Sequence, residues 1–175
     1  MLIGVLVLQY LGRTPPPILD GPMPDTELIG LLNADAELSD AEVADRVTVY
    51  HFWGTWCPPC REEYPEFAEL AAGYQAVDDV RIVSISCSPD AEKDVEALRD
   101  GTRAYLEQLD RETMPIYCDP TAYTRIQVLN LLGTGGFSYP TTIVVDKRGV
   151  VRRFYAGMTD MKELREEIQS LREQS

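Results

Sequence analysis

Phe52-Trp53-Gly54-Thr55-Trp56-Cys57-Pro58-Pro59-Cys60 decides how this chain is read, because it joins a buried strand to a dithiol. Residues 47–53 are almost all β-branched or aromatic, which predicts a buried strand running directly into the cysteine loop. If the residues after Cys57 open a helix, its sulfur meets the unpaired amides and the positive dipole end of that helix, and the thiolate is favoured. Cys57 is then the attacking sulfur. Cys60, about one helical turn on, is placed to resolve a mixed disulfide at Cys57. Pro58 and Pro59 suit a first helical turn, where a missing N–H is no loss, and they stiffen the loop between the sulfurs. Zinc is the minor alternative. A structural site takes four ligands, whereas Cys87 and Cys118 stand alone and His51 is the only histidine, so no metal is expected.

Working outward, 175 residues with 45% hydrophobic content predict a single ordinary core, and a formal charge of −13 argues against nucleic acid or an anionic membrane surface as partner. A basic or neutral partner fits better, although acidity also serves solubility alone. Residues 1–13 form an apolar N-terminal segment, either an export signal or anchor or a buried strand. Its run from Leu2 to Leu11 is too short for a comfortable span of about 20 residues and has no basic start. Pro15-Pro16-Pro17 ends any regular element there, and residues 14–45 read as a Pro-rich and then acidic, solvated lead-in. The folded domain is expected over residues 46–175.

Within that domain strands and helices alternate. After the cysteine loop a helix is predicted with Phe67, Leu70, Ala71 and Tyr74 inward, with Glu62, Glu63, Glu66 and Glu69 facing water, and with a kink at Pro65. Residues 80–87 are the next strand, and Val95, Leu98, Thr102, Tyr105, Leu106 and Leu109 repeat at helical spacing. A short strand over 116–118 and a helix over 123–129 follow. Residues 141–145 and 150–155 form an antiparallel hairpin around Asp146-Lys147-Arg148-Gly149. A last helix starts at Asp160 and buries Met161, Leu164, Ile168 and Leu171. Gly133-Thr134-Gly135-Gly136 lacks the lysine of a phosphate loop and reads as a turn.

These residues resemble the thioredoxin-like superfamily, and within it the TlpA/ResA-like thiol-disulfide oxidoreductases. Phe52-Trp53 with Trp56-Cys57-Pro58-Pro59-Cys60 is similar to that group's signature, Pro65 matches its helix proline, and Tyr139-Pro140-Thr141-Thr142 looks like its cis-proline loop. The resemblance implies an α/β thioredoxin-like fold: a central mixed sheet, helices on both faces, and a TlpA/peroxiredoxin-type inserted strand and helix. It implies Cys57 and Cys60 as the catalytic pair, with Trp56, Pro58, Tyr139 and Pro140 as substrate-binding residues. A cis bond at Pro140 would turn the backbone of Tyr139 outward to pair with an extended partner segment. The redox-active disulfide itself serves in place of any cofactor.

His51 departs from the pattern. It falls six residues before Cys57, where thioredoxins often carry a buried acid, and it is either a proton relay for Cys60 or a hydrogen-bonded core histidine. In the family's strand order, the strands ending at Cys87 and Cys118 are parallel neighbours. A second disulfide, two free thiols and a second redox centre are the three readings of that pair. The resemblance implies a reductase of protein disulfides outside the cytoplasm, either periplasmic or held by an N-terminal membrane tether, that takes electrons from an unidentified thiol donor, and the chain is expected to be a monomer. The alternatives are a thiol peroxidase of peroxiredoxin-like type, or a non-catalytic binding module with a thioredoxin fold.

Overall fold

The computed structural model describes residues 20–34, 36–109, 114–133 and 135–174. In chain order the elements are β1 (Ile29–Leu32), α1 (Asp40–Val43), β2 (Val47–Trp53), α2 (Pro58–Ala72), β3 (Val80–Ser86), α3 (Val95–Leu109), β4 (Ile116–Cys118), α4 (Tyr123–Leu132), β5 (Thr141–Val145), β6 (Val151–Ala156) and α5 (Met161–Glu173). The strands form a mixed sheet in the order β1-β4-β3-β2-β5-β6. β2 runs parallel to β3 and antiparallel to β5, β4 is parallel to β3, and the two outer pairings, β1 with β4 and β5 with β6, are antiparallel.

Alternation along each strand divides the interior into two cores, one on each face of the sheet. Val47, Val49 and Trp53 of β2 join Tyr64, Phe67 and Leu70 of α2, Tyr105 and Leu106 of α3, and Leu164, Ile168 and Leu171 of α5. Tyr50 and Phe52, one position out of phase, face the other way with Val83, Ile85, Ile143 and Val128 of α4. Helices therefore cover both faces. β2 is buried at all seven positions, as its unbroken run of β-branched and aromatic residues requires of a strand covered on both faces.

Pro65 removes an N–H from the middle of α2, yet the helix runs unbroken from Pro58 to Ala72. The carbonyl that loses its partner is that of Arg61, four residues earlier, and the Tyr105 hydroxyl of α3 donates to it at 3.0 Å. The neighbouring helix thus supplies the missing bond. At the hairpin, Asp146 accepts from the backbone N–H of Arg148 and of Val150, and Gly149 takes a positive φ of 78° that a side chain would strain.

The expectation of a solvated lead-in over residues 14–45 is corrected for the described part. Leu28 and Leu31 are buried, β1 adds to the sheet edge, and Ser39 with Glu42 forms a capping box at α1. Leu28 enters the core under α4 and Leu31 the core under α2, which anchors the segment on both faces of the sheet. The apolar segment 1–13 lies outside the described residues.

Candidate active site

α2 begins at the redox pair. Cys57 is the residue that caps the helix, in extended conformation, and Pro58 and Pro59 fill the first two helical positions without an N–H to satisfy. The first available amide is that of Cys60, which donates to Cys57 Sγ at 3.3 Å. The sulfur therefore sits where a negative charge meets both a hydrogen bond and the positive end of a helix of 15 residues. Cys57 and Cys60 are joined as a disulfide, their Cα atoms 5.3 Å apart. Cys57 is 3% exposed and Cys60 is completely buried, the order of access expected of attacker and resolver.

Trp56 and Tyr139 frame the mouth. The Trp56 indole folds back so that Nε1 donates to the Cys87 carbonyl at 2.8 Å, yet the residue stays 45% exposed. Gly54 makes this possible, since a Cβ there would lie 2.7 Å from the same carbonyl oxygen. The edge of one ring meets the face of the other where Trp56 packs against Tyr139, with centroids 5.1 Å apart. The Tyr139-Pro140 peptide is cis. Gly157 donates to the Pro140 carbonyl at 2.8 Å, and Thr141 Oγ1 donates to Ser138 O at 2.8 Å, so the loop is tied on both sides. Met158, next to Gly157 in the chain, is 52% exposed. Pro58 is exposed beside Cys57.

Two buried titratable groups, His51 of β2 and Glu63 of α2, lie close to each other. His51 faces α2, stacked on Phe67 with centroids 3.8 Å apart, and its Nδ1 is 3.0 Å from the Thr142 hydroxyl. Complete burial pulls its proton affinity down to about 3, so the ring is neutral at physiological pH. Glu63 is 3% exposed, which corrects its assignment to the water-facing side of α2. Its Oε2 accepts from Thr159 N at 2.9 Å, and its Oε1 lies 3.9 Å from His51 Nδ1 without a hydrogen-bond partner. Burial pushes the Glu63 carboxyl up to about 7, against the Thr159 bond and with help from the charge of Glu66. The sequence carried a signal for this. Glu63 stands three residues after Cys60 and four before Phe67, on the stripe that both of those buried residues define.

The second disulfide is excluded. Cys87 and Cys118 are free, buried thiols. β3 and β4 are indeed parallel neighbours, but Cys118 is in register with Ser86, one residue before Cys87. That single step puts the sulfurs on opposite faces of the sheet, Cys118 in the core under α2 and Cys87 in the core under α4. Burial pushes the Cys87 thiol up to about 12 and the Cys118 thiol up to about 11, which removes the thiolate a peroxidase or second redox centre needs. Among the described residues no cluster of three or more His, Cys, Asp or Glu could hold a metal ion.

Residues 19–154 match the AhpC/TSA family. The thiol-disulfide oxidoreductase ResA of Geobacillus thermodenitrificans is 31% identical over 153 residues, covering 82% of this chain and 78% of that protein. The thiol:disulfide interchange protein DsbE of Pseudomonas aeruginosa is 26% identical over 178 residues, covering 99% of this chain and 88% of its own. In three dimensions the crystal structure of a DsbF homologue from Corynebacterium diphtheriae superposes with a TM-score of 0.70 at 24% identity, covering 91% of this chain and 95% of that one. A helix-capping cysteine pair and a cis-proline loop on a mixed sheet, together with these relatives, place the chain in the AhpC/TSA family, among its thioredoxin-like thiol-disulfide oxidoreductases.

Proposed function

We propose that this oxidoreductase works as a reductase of protein disulfides outside the cytoplasm, with Cys57 attacking, Cys60 resolving and Glu63 handling the proton. The observation that supports this most strongly is the Cys60 amide aimed at Cys57 Sγ, beside the Trp56-Tyr139 mouth. In the reduced protein the Cys57 thiolate attacks one sulfur of a partner disulfide, and the partner's other sulfur leaves as a thiolate. The Cys60 thiol then gives its proton to the Glu63 carboxylate and attacks Cys57, releasing the second partner thiolate, which is protonated from Glu63 or water. Two electrons pass to the partner and the Cys57–Cys60 disulfide is left, to be reduced again by a thiol donor. Burial leaves His51 neutral and a weak base held beside the Thr142 hydroxyl, which supports its reading as a core histidine, and the relay role goes to Glu63, the group that titrates near neutrality.

An extended partner segment would pair with the Tyr139 backbone, and the formal charge of −13 favours a basic or neutral one. The extracytoplasmic placement rests on the apolar residues 2–11 ahead of the proline run. Among the described residues no helix is long and apolar enough to cross a membrane. The direction of electron flow is tested by equilibrating the Cys57/Cys60 couple with glutathione. A reductase predicts a potential near that of thioredoxin, about −270 mV, while a value near −120 mV would mark an oxidant of the DsbA kind and overturn the reading. Insulin reduction with dithiothreitol as electron source is expected to be lost in Cys57→Ser.

A further inference from the structure

Arg125 is a charged residue buried to 5% exposure on α4, far in sequence from Cys57 and Cys60 and unmarked by any motif. All five N–H groups of its guanidinium are used. Nε donates to Asp119 Oδ2 at 3.0 Å, Nη1 to the Ser88 carbonyl at 2.7 Å and to the Tyr139 hydroxyl at 2.5 Å, and Nη2 to the carbonyls of Asp90 and Asp119, each at 3.1 Å. Asp119 is fully committed in turn, accepting also from the backbone N–H of Thr124 and of Arg125.

Two of the groups that Arg125 holds belong to the mouth of the site. Ser88 follows Cys87, whose carbonyl takes the Trp56 indole N–H, and Tyr139 precedes the cis proline and meets the Trp56 ring. The residues flanking Cys57 and Pro140 thus hang from one buried cation supplied by α4. A bond to Asp119 and to the 88–90 backbone would suffice to close that region. The bond to the Tyr139 hydroxyl acts on a ring that packs on the edge of both cores and also lines the mouth, so it couples the buried cation to Trp56.

We propose that Arg125 is a positioning residue for protein substrates: it locks the Tyr139 ring against Trp56, so that the backbone edge beside Pro140 is set in advance for an extended partner strand. This rests on the reductase reading above and adds to it a source of substrate affinity, since an edge ordered before binding need not be ordered during it. Lysine cannot replace it, because a single ammonium with three donors does not span acceptors laid out for a planar fork of five.

The test compares Arg125→Lys, Tyr139→Phe and the double variant in insulin reduction driven by dithiothreitol, alongside the rate at which the reduced proteins react with the small disulfide DTNB. For Arg125→Lys the expected result is a KM for insulin raised about five- to tenfold, the equivalent of one net hydrogen bond, with kcat and the DTNB rate unchanged. Tyr139→Phe keeps the ring and removes the hydroxyl, and should raise KM by a similar factor. The double variant should be no worse than Arg125→Lys alone, because the bond that Tyr139→Phe removes is already lost in it. An unchanged KM in both single variants, or fully multiplied effects in the double, would overturn the proposal. So would an Arg125→Lys protein whose DTNB rate and kcat fall in step with its insulin activity, as general damage to the site would produce. Wild-type turnover reads the reductase function, and the variant-to-wild-type ratio reads Arg125.

Discussion

His51 and Glu63 face each other in the same dry pocket and pull stability in opposite directions as pH changes. Glu63 holds its proton more tightly folded than unfolded, so its contribution is complete below its ordinary value of 4.5 and is lost as pH rises through about 7. His51 holds its proton less tightly folded, so its contribution is complete above 6.5 and is lost as pH falls through about 3. Between 4.5 and 6.5 the two slopes oppose one another. Glu63→Gln should expose the histidine slope, with stability rising by about 2 kcal/mol from pH 4.5 to 6.5 in urea denaturation of the oxidised protein. His51→Asn should expose the opposite slope. Identical pH profiles for Glu63→Gln and wild type would show that the carboxyl does not titrate in this window. The cysteine pair was legible from spacing alone, as was the unusual position of His51. The burial of Glu63 was obscured because it sits in a run of glutamates, Glu62, Glu63 and Glu66, of which only the middle one lies on the apolar stripe.

At the scale of elements, α2 depends on a helix that enters from elsewhere in the chain. Pro65 leaves the Arg61 carbonyl without its helical partner. Tyr105 reaches that carbonyl, and Arg61 also places its guanidinium 5.8 Å from the centre of the Tyr105 ring. No local pattern in residues 58–72 announces a hydroxyl supplied 44 residues away. Tyr105→Phe keeps the ring in the core and leaves the Arg61 carbonyl unpaired, which should lower the stability of the fold by about 1 to 2 kcal/mol in chemical denaturation. Strand and helix positions fared better. β2 and β5 occupy the residues that their runs of β-branched and aromatic side chains marked, β4 the short strand read at 116–118, and α3 and α5 bury the faces that spacings of three and four selected. β1 escaped notice because a strand of four residues at a sheet edge has too little alternation to stand out from an acidic background.

For the molecule as a whole, the two cores decide which sulfurs are chemically available. Cys87 and Cys118 were read as possible partners because their strands are neighbours, and strand order was right; the one-residue register that separates the faces is not written in either strand alone. Each is sealed in its own core, with its thiol held far above neutrality, while Cys57 sits at the helix start behind an exposed tryptophan. In this arrangement Cys57 alone attacks and Cys60 alone resolves. The decisive experiment mixes reduced Cys60→Ser protein with a disulfide-bonded peptide and maps the adduct by mass spectrometry. The prediction is a stable mixed disulfide on Cys57 in native protein, absent when Cys57 is also replaced by serine. An adduct on Cys87 or Cys118, or rapid loss of the Cys57 adduct without Cys60, would contradict it.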